Sequence, residues 1–273
     1  MKVTANGIEL RCSLAGPGGA PVVTLAHPLA ASLDLWDAEA AALAGAGFRV
    51  LRYDARGHGG SAVPSGPYTT GDMAEDLRGL WDALGIVRSH VVGLSMGGIV
   101  GMEAALRWSD RVTGLVLADT TTRYAPATAG MWAERIRAAE TAGMEAVVEG
   151  TMAIWFTPEF RARQPETVDA VRRMVRATDP RGYVASVRAI AGVDLTLAIA
   201  AIRCPTLVLV GELDPGTPPA MARVIHERIA GSRLVVLPRA MHCSLLEAAL
   251  AFDAALRAFL AELGAVPRGP AVP

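Results

Sequence analysis

The sequence has few cysteines, almost no net charge and no long apolar run, and each absence excludes a class of protein. Its three cysteines among 273 residues show neither metal-ligand spacing nor an even count for a disulfide framework, so we expect free thiols in a reducing cytoplasm. The formal net charge of −1 provides no field to attract nucleic acid or an anionic membrane. No apolar stretch approaches the ~20 residues that span a bilayer. Because Lys2, Asn6 and Glu9 interrupt the beginning of the chain, we expect no signal peptide.

Apolar residues make up 52% of the chain, in short β-branched runs that alternate with longer helical patterns. The predicted strands are Ile8–Leu14, Val22–Ala26, Phe48–Tyr53, His90–Leu94, Val112–Ala118, Thr206–Val210 and Leu234–Leu237. The predicted helices in the same alternation are Leu35–Ala46, Thr70–Leu84, Gly98–Trp108, Pro218–Ile229 and Leu246–Leu263. Several strands are apolar throughout, as in parallel strands covered on both faces. The alternation predicts an α/β fold with a mostly parallel, doubly wound sheet.

One long interval, residues 121–202, contains only amphipathic helical patterns and no convincing strand. An all-helical excursion between two late strands predicts a cap over the carboxyl-terminal edge of the sheet. We therefore expect a core domain built from residues 1–120 and 203–264, with the helical cap inserted between its two parts. The Pro/Gly-rich end, residues 265–273, is predicted to be a disordered tail.

The pentapeptide Gly93-Leu94-Ser95-Met96-Gly97 lies where a predicted apolar strand meets a predicted helix. A Gly-x-Ser-x-Gly at such a junction is typical of a nucleophile elbow, because the glycines leave room for a strained turn that exposes the serine hydroxyl. An ordinary glycine-rich turn is the alternative. We predict that Ser95 is a catalytic nucleophile.

A serine nucleophile needs a base and a group that orients the base, and both are found after later strands. Asp214 follows the strand that ends at Val210, and His242 follows the last strand. The order Ser, Asp, His is that of α/β-hydrolase triads. Glu212 and Asp119 are alternatives for the acid, since both also follow strands. Cys243, beside the predicted base, is interpreted as a packing residue.

The remaining four histidines are weaker candidates for the base. His27 ends an early strand and is expected to support the loop beside it, and His58 lies in a glycine-rich turn where a structural role is expected. His90 begins the strand that leads to Ser95, and His226 lies on a late helix, so both are interpreted as solvated or capping groups.

An acyl-transfer intermediate needs two N–H donors for its oxyanion. Met96 follows the serine at a helix N-terminus, where the helix dipole also favours negative charge. The second donor is expected from the loop after Val22–Ala26. Pro28 has no N–H, so Leu29 is the candidate, with Ala30 as the next possibility.

With Ser95, Asp214 and His242 placed, the chain resembles α/β-hydrolases, and among them the 3-oxoadipate enol-lactonases, over residues 25–263. The stretches that carry the resemblance lie in residues 48–59, 66–68, 80–86, 93–98, 155–158 and 214–219. Two of them, Trp-Phe-Thr-Pro at Trp155 and Asp-Pro-Gly-Thr-Pro-Pro at Asp214, are more particular to the lactonase group. The chain differs from that group in two stretches that touch the predicted pocket wall. It has His27-Pro28-Leu29-Ala30 where the lactonases usually have Asn-Ser-Leu-Gly, and His242-Cys243-Ser244-Leu245 where they usually have His-x-Ser-Asn.

The resemblance implies a cytoplasmic enzyme that needs no cofactor and no metal, with a small lactone or ester as its partner and 3-oxoadipate enol-lactone as the first substrate to try. A carboxylesterase, a carbon–carbon bond hydrolase or a ligand receptor on the same scaffold are the alternatives. A carboxylate on the substrate would need a cation, for which Arg135, Arg188 and Arg123 are candidates in or near the cap. Trp132, Trp155 and, among these arginines, Arg135 are the predicted substrate contacts. The alternatives are that the tryptophans pack only within the cap and that each arginine lies on a solvated helix face. The oligomeric state is left open.

Overall fold

A computed structural model describes residues 1–264 of the protein, and the predicted disordered tail, residues 265–273, lies outside them. The strands are β1 Lys2–Ala5, β2 Ile8–Ala15, β3 Val22–Ala26, β4 Arg49–Tyr53, β5 Ser89–Leu94, β6 Val112–Ala118, β7 Thr206–Gly211 and β8 Arg233–Leu237. The helices are α1 Asp37–Gly45, α2 Thr70–Ala83, α3 Met96–Arg107, α4 Ala129–Ala142, α5 Glu145–Trp155, α6 Pro158–Arg163, α7 Pro165–Ala177, α8 Pro180–Ala191, α9 Pro219–Arg228, α10 Ser244–Glu247 and α11 Ala249–Glu262.

The described residues form one eight-stranded sheet in the order β1-β2-β4-β3-β5-β6-β7-β8. Each strand in the part β4-β3-β5-β6-β7-β8 is parallel to the next one, whereas β1 pairs antiparallel with β2 and β2 pairs antiparallel with β4. Strands β5 and β7 are buried at every residue, as expected for strands covered by helices on both faces. The predicted fold class, a mostly parallel doubly wound sheet, is confirmed. None of the helices within residues 1–264 is long and apolar enough to cross a membrane.

Two features of the core differ from the sequence prediction. The short strand β1 was not expected, because its four residues are mostly exposed and it pairs with β2 alone. The helix predicted over Leu246–Leu263 is two helices, α10 and α11, with Ala248 between them in a non-helical conformation at φ −118° and ψ 38°. A hydrophobic pattern continuous across both helices hides such a break, because backbone dihedrals at one alanine leave no signal in composition.

Between β6 and β7 the described chain forms five α-helices, α4 to α8, and two short 3₁₀ turns. Helices α4 and α8 pack together, and α5 packs on both α4 and α7. The chain leads into this helical segment from the carboxyl end of β6, at the edge of the sheet where the parallel strands end. We propose that residues 121–202 are a cap domain on a core of residues 1–120 and 203–264.

A buried carboxyl group links α1 to α11 and should make the stability of the protein depend on pH. Glu39 is 6% exposed, and one of its oxygens has no hydrogen-bond partner in the described structure. Burial, and then the negative charge of Asp253, raise the pKa of Glu39 to about 7 despite the nearby Arg257. The folded protein therefore holds this proton more tightly than the unfolded chain, so stability is lost as pH rises from about 4.5 to about 7.

Glu39→Gln should remove this loss, since glutamine does not titrate. We expect the variant to be more stable than the wild type above pH 7, by about 3 kcal/mol, because the pKa rises from 4.5 to about 7 and each unit corresponds to ~1.4 kcal/mol. Urea unfolding at pH 5 and pH 8 measures the effect. The exposed Glu134 of α4 offers the control, Glu134→Gln. An equal change in both variants, or none at pH 8, would contradict this assignment of the Glu39 pKa.

Candidate active site

The turn between β5 and α3 explains why glycines flank Ser95. Ser95 has φ 55° and ψ −113°, a left-handed conformation that costs energy for a residue with a side chain. A Cβ on Gly93 would lie 2.2 Å from the carbonyl oxygen of Gly97, and one on Gly97 would lie 2.1 Å from that of Ala26. Only glycine therefore fits on either side. The turn projects the Ser95 side chain beyond the carboxyl end of the central strand.

The loops after β7 and β8 bring Asp214 and His242 to the same edge as Ser95. The Nε2 atom of His242 lies 2.9 Å from the Ser95 hydroxyl, and its Nδ1 atom lies 2.8 Å from a carboxylate oxygen of Asp214. All three side chains are at least nine-tenths buried. An imidazole with an acceptor at Nδ1 and a hydroxyl at Nε2 is oriented to take a proton from that hydroxyl.

The turn after β7 holds the Asp214 carboxylate in place before His242 contacts it. One oxygen accepts hydrogen bonds from the amides of Gly216, at 2.7 Å, and Thr217, at 3.0 Å. The other accepts from the Thr217 hydroxyl at 2.6 Å, as well as from His242. Because four donors converge on this carboxylate, its orientation is fixed by the turn and not only by the imidazole.

The pKa values of Asp214 and His242 depend on each other's charge. Burial alone raises the pKa of Asp214, but the His242 charge and the hydrogen bonds from His242 and Thr217 outweigh it, so the pKa lies below its ordinary value. Burial alone lowers the pKa of His242. The charge and hydrogen bond of Asp214, and then the charge of Asp119, raise it by more, so the pKa lies above its ordinary value. The pair therefore favours an ionised carboxylate beside an imidazole that accepts a proton readily.

The two alternative acids lie elsewhere. Glu212 accepts a hydrogen bond from the Arg239 amide at 2.9 Å and is exposed. Asp119 is fully buried after β6, but it accepts from the Gly211 amide at 2.8 Å and from the Ser244 hydroxyl at 2.5 Å. Burial and the charge of Asp214 raise the pKa of Asp119 to about 7. Asp214 is thus the carboxylate that hydrogen-bonds His242.

Among the backbone amides near Ser95, those of Met96 and Leu29 donate to no protein acceptor within residues 1–264. The Ala30 amide, the next possibility in sequence, donates to Nε2 of His58 at 3.0 Å and is therefore occupied. His27 accepts from the Ala55 amide in the same way, at 2.9 Å. The two buried imidazoles thus hold the loop after β3 so that the Leu29 amide stays free.

The other two histidines lie away from this edge of the sheet. His226, near the end of α9, contacts the hydroxyl of Ser232 in the connection to β8, at 3.0 Å. The solvated or capping role expected for His90 is wrong, because this residue is 7% exposed and contacts the Thr113 hydroxyl at 3.1 Å. Burial lowers its pKa to about 4. Its position in a fully covered strand explains the difference.

A cavity of about 230 Å³ opens onto Ser95 and His242 beneath the cap helices. Its walls include all three predicted substrate contacts, Trp132, Trp155 and Arg135, together with Leu29. The Trp155 ring lies 6.3 Å from the imidazole of His242, centre to centre. The further lining residues are Tyr124, Thr128, Met131, Thr151, Ile154, Ile190, Pro215, Gly216, Pro218 and Met221. The cavity is mostly apolar, with a serine at one side and an arginine at another.

Of the three candidate arginines, one lines the cavity and two do not. Arg135 donates to the Tyr183 hydroxyl at 3.0 Å and to the Thr151 hydroxyl at 3.2 Å, and in residues 1–264 no carboxylate lies within ion-pair distance of it. Arg188 is exposed and pairs with Glu140 at 2.9 Å. Arg123 is exposed and lies 3.8 Å from Asp194. Arg135 is therefore the cation available inside the cavity.

Comparison with known proteins identifies the family. A model of the alpha/beta hydrolase fold family matches residues 21–249, most of the chain. The chain belongs to the α/β-hydrolase family. This hydrolase is 30% identical over 258 residues to 3-oxoadipate enol-lactonase 2 of Acinetobacter baylyi, covering 94% of this chain and 95% of that protein. It is a hydrolytic enzyme, as the sequence resemblance implied.

Two solved structures extend this likeness. The enol-lactonase from Burkholderia xenovorans LB400 shares 38% identity with the hydrolase, with a TM-score of 0.92 over 96% of this chain and all of that one. A thermophilic esterase from Thermogutta terrifontis, solved with malate bound, shares 30% identity, with a TM-score of 0.89 over 96% of this chain and 98% of that one. Lactone and ester hydrolases are therefore both among its relatives.

Several residues of the hydrolase's candidate site were not predicted from the sequence. Thr217 lies in the Asp-Pro-Gly-Thr-Pro-Pro stretch, which carried the resemblance without indicating that its hydroxyl would hold Asp214. Tyr124 and Thr151 lie in the cap, and only the packing of α4 and α5 over the core edge brings them to the cavity. Among residues 1–264, no group of three or more His, Cys, Asp or Glu side chains is arranged to hold a metal ion.

Proposed function

We propose that this enzyme is a serine hydrolase that opens a small lactone or ester carrying a carboxylate, and that 3-oxoadipate enol-lactone is such a substrate. The observation that carries the proposal is the continuous hydrogen-bonded series Ser95–His242–Asp214 at the wall of a cavity that also contains Arg135. At about 230 Å³ the cavity is smaller than those that hold drug-sized ligands, which favours a compact substrate.

The proposed reaction begins when His242 removes the proton of Ser95 as the serine oxygen attacks the substrate carbonyl. The amides of Met96 and Leu29 stabilise the oxyanion, an effect worth ~2.7–4 kcal/mol per donor in serine enzymes. The bond from the carbonyl carbon to the ring oxygen then breaks, and His242 returns its proton to that oxygen. The product is an acyl-enzyme at Ser95 whose acyl group carries the new enol, which ketonises. Water activated by His242 attacks this ester, and proton return to Ser95 releases the acid.

Arg135 is proposed to bind the substrate carboxylate. A guanidinium partly withdrawn from water is costly unless an anion pairs with it, and hydroxyl groups alone supply no charge. Its side chain is also fixed by the Tyr183 and Thr151 hydroxyls and lies 5.8 Å from the Trp132 ring centre. An anionic substrate would complete this set of contacts. The enol-lactone carries one carboxylate away from the carbonyl that reacts.

A substrate panel combined with Arg135→Met tests the proposal. We expect the wild type to turn over 3-oxoadipate enol-lactone with a higher kcat/KM than p-nitrophenyl acetate or a vinylogous diketone. Arg135→Met should lower kcat/KM for the enol-lactone by about 100-fold, the scale for losing one partner of a buried ion pair, and change the neutral ester by less than about threefold.

The matched control is Arg188→Met, which removes an exposed arginine from the neighbouring cap helix α8. This variant should leave kcat/KM for both substrates unchanged. An equal loss on the anionic and neutral substrates would remove Arg135 from carboxylate recognition. A wild type that prefers neutral esters to every lactone would favour a carboxylesterase, and one that prefers the diketone a carbon–carbon bond hydrolase.

A further inference from the structure

One carboxylate joins the cap to the loop that carries His242. Glu247, at the end of α10, uses one oxygen to accept hydrogen bonds from the amide and the hydroxyl of Thr157, with the amide at 2.9 Å. Its other oxygen accepts from the Met241 amide at 2.7 Å. Thr157 lies between cap helices α5 and α6, and Met241 directly precedes His242. The two ends of one side chain therefore touch the cap and the proposed base loop.

The same segments meet at a second point next to the cavity. The Cys243 amide, directly after His242, donates to the carbonyl oxygen of Trp155 at 3.0 Å. The Trp155 side chain is a wall of the cavity. Cys243 is thus bonded directly to the cap segment Trp155–Thr157, and Met241 is linked to it through Glu247. A movement of that segment must therefore move His242 or break these contacts.

Thr157 is itself firmly placed. Its hydroxyl accepts from the Phe160 amide at 3.1 Å, which caps the N-terminus of α6, and the residue is 7% exposed. From the core side, Asp119 holds Ser244, two residues after His242, at 2.5 Å. The base loop is therefore fixed to the sheet by one carboxylate and to the cap by another. Because of the second link, the cavity wall at Trp155 and the imidazole of His242 cannot move independently of each other.

We propose that Glu247, acting with Thr157 and Met241 as a clamp between cap and core, is a positioning residue that sets how large an acyl group the enzyme accepts. This inference rests on the proposed function of the same site. With the clamp intact, Trp155 stays at a fixed distance from His242 and restricts the cavity to short acyl chains. Without it, the Trp155 wall can move away from the base, which admits longer chains and loosens the alignment of the imidazole with Ser95.

Glu247→Gln breaks one side of the clamp while keeping the side-chain shape. A glutamine offers a single acceptor oxygen, so its amide group must face the N–H donors of either Thr157 or Met241. We expect kcat for p-nitrophenyl acetate to fall about 10-fold, within the range seen when reacting groups are misplaced by about 1 Å. The ratio of kcat/KM for p-nitrophenyl hexanoate to that for the acetate should rise about fivefold, on the scale of one or two methylenes in a pocket.

Two control variants separate this role from a general loss of stability. Glu262→Gln removes a carboxylate from the neighbouring helix α11 that pairs with Arg233 at 2.8 Å and touches neither the cap nor His242. Thr157→Ser keeps the hydroxyl that donates to Glu247, whereas Thr157→Val removes it. We expect Thr157→Val to reproduce the altered chain-length ratio, and Thr157→Ser and Glu262→Gln to leave it within about twofold of the wild type, the size of ordinary surface substitutions.

Hydrogen exchange measured by mass spectrometry provides a test that does not depend on turnover. In Glu247→Gln, the peptides around Met241–Ser244 and Thr157–Phe160 should exchange faster together, while peptides of β5 and β7 stay unchanged. Faster exchange in a protein that hydrolyses none of the esters would support the clamp and refute the proposed function. An unchanged chain-length ratio, or faster exchange on one side only, in folded Glu247→Gln would overturn the clamp.

Discussion

Replacing Ser95 by alanine is expected to reduce kcat for every lactone and ester by about 10⁵-fold or more, the scale on which serine hydrolases depend on their nucleophile. The physical reason is that Ser95 supplies the one hydroxyl that contacts the Nε2 atom of His242 within residues 1–264, at 2.9 Å. KM should change little, since the cavity walls remain. Steady-state rates with the enol-lactone and with p-nitrophenyl acetate measure the effect.

A buried serine outside the site serves as the control for Ser95→Ala. Ser186 of α8 is fully buried, and its hydroxyl has no hydrogen-bond partner within residues 1–264. Ser186→Ala removes the same oxygen from the interior and should leave turnover unchanged. If folded Ser95→Ala kept a tenth or more of the wild-type rate, the nucleophile assignment would be wrong.

Asp214→Asn is expected to lower kcat by about 10³- to 10⁴-fold at pH 7, with the fold intact. The asparagine amide group would face Nδ1 of His242, which favours the tautomer whose Nε2 carries the proton and cannot accept the Ser95 proton. The turn donors from Gly216 and Thr217 would still hold the side chain in place. The loss therefore comes from the charge and tautomer, and not from a displaced residue.

The pH dependence of kcat/KM tests how the Asp214 charge acts on His242. His242 must be neutral to act as a base, so kcat/KM rises as pH rises through its pKa. Burial lowers that pKa, and the charge and hydrogen bond of Asp214 raise it to a net increase. Removing the Asp214 charge should move the acidic limb of the profile to lower pH. Glu212→Gln, which changes the neighbouring exposed carboxylate, should move neither the limb nor kcat, and a loss equal to that of Asp214→Asn would contradict the assignment.

Much of the fold was predictable because apolar strands bounded by proline, glycine or charge have clear limits. The predicted bounds of β3 and β6 are those observed, and β5 and β7 differ by one residue. The strand β1 and the break at Ala248 were not predictable. Both depend on pairing or dihedral angles that a four-residue strand at the sheet edge or one alanine does not encode locally.

Part of the proposed site was likewise predictable from the sequence, and part of it was not. Ser95, Asp214 and His242 were found from strand order, because parallel strands end at one edge, and Leu29 was selected because Pro28 has no N–H. Arg135 was named as the substrate contact without a physical ground that separated it from the other two arginines, since Arg135 and Arg188 lie on adjoining cap helices with similar surroundings in the chain. Only the packing of α4 on α8 directs one into the cavity and pairs the other with Glu140.

Rapid-quench mass spectrometry of the wild type during turnover of p-nitrophenyl acetate tests the central claim most directly. The account predicts a burst of p-nitrophenol close to one per enzyme, with the acetyl group on the peptide that contains Ser95. Ser95→Ala should give neither the burst nor the adduct. Turnover without a covalent intermediate, or an acetyl group on any other residue, would contradict it.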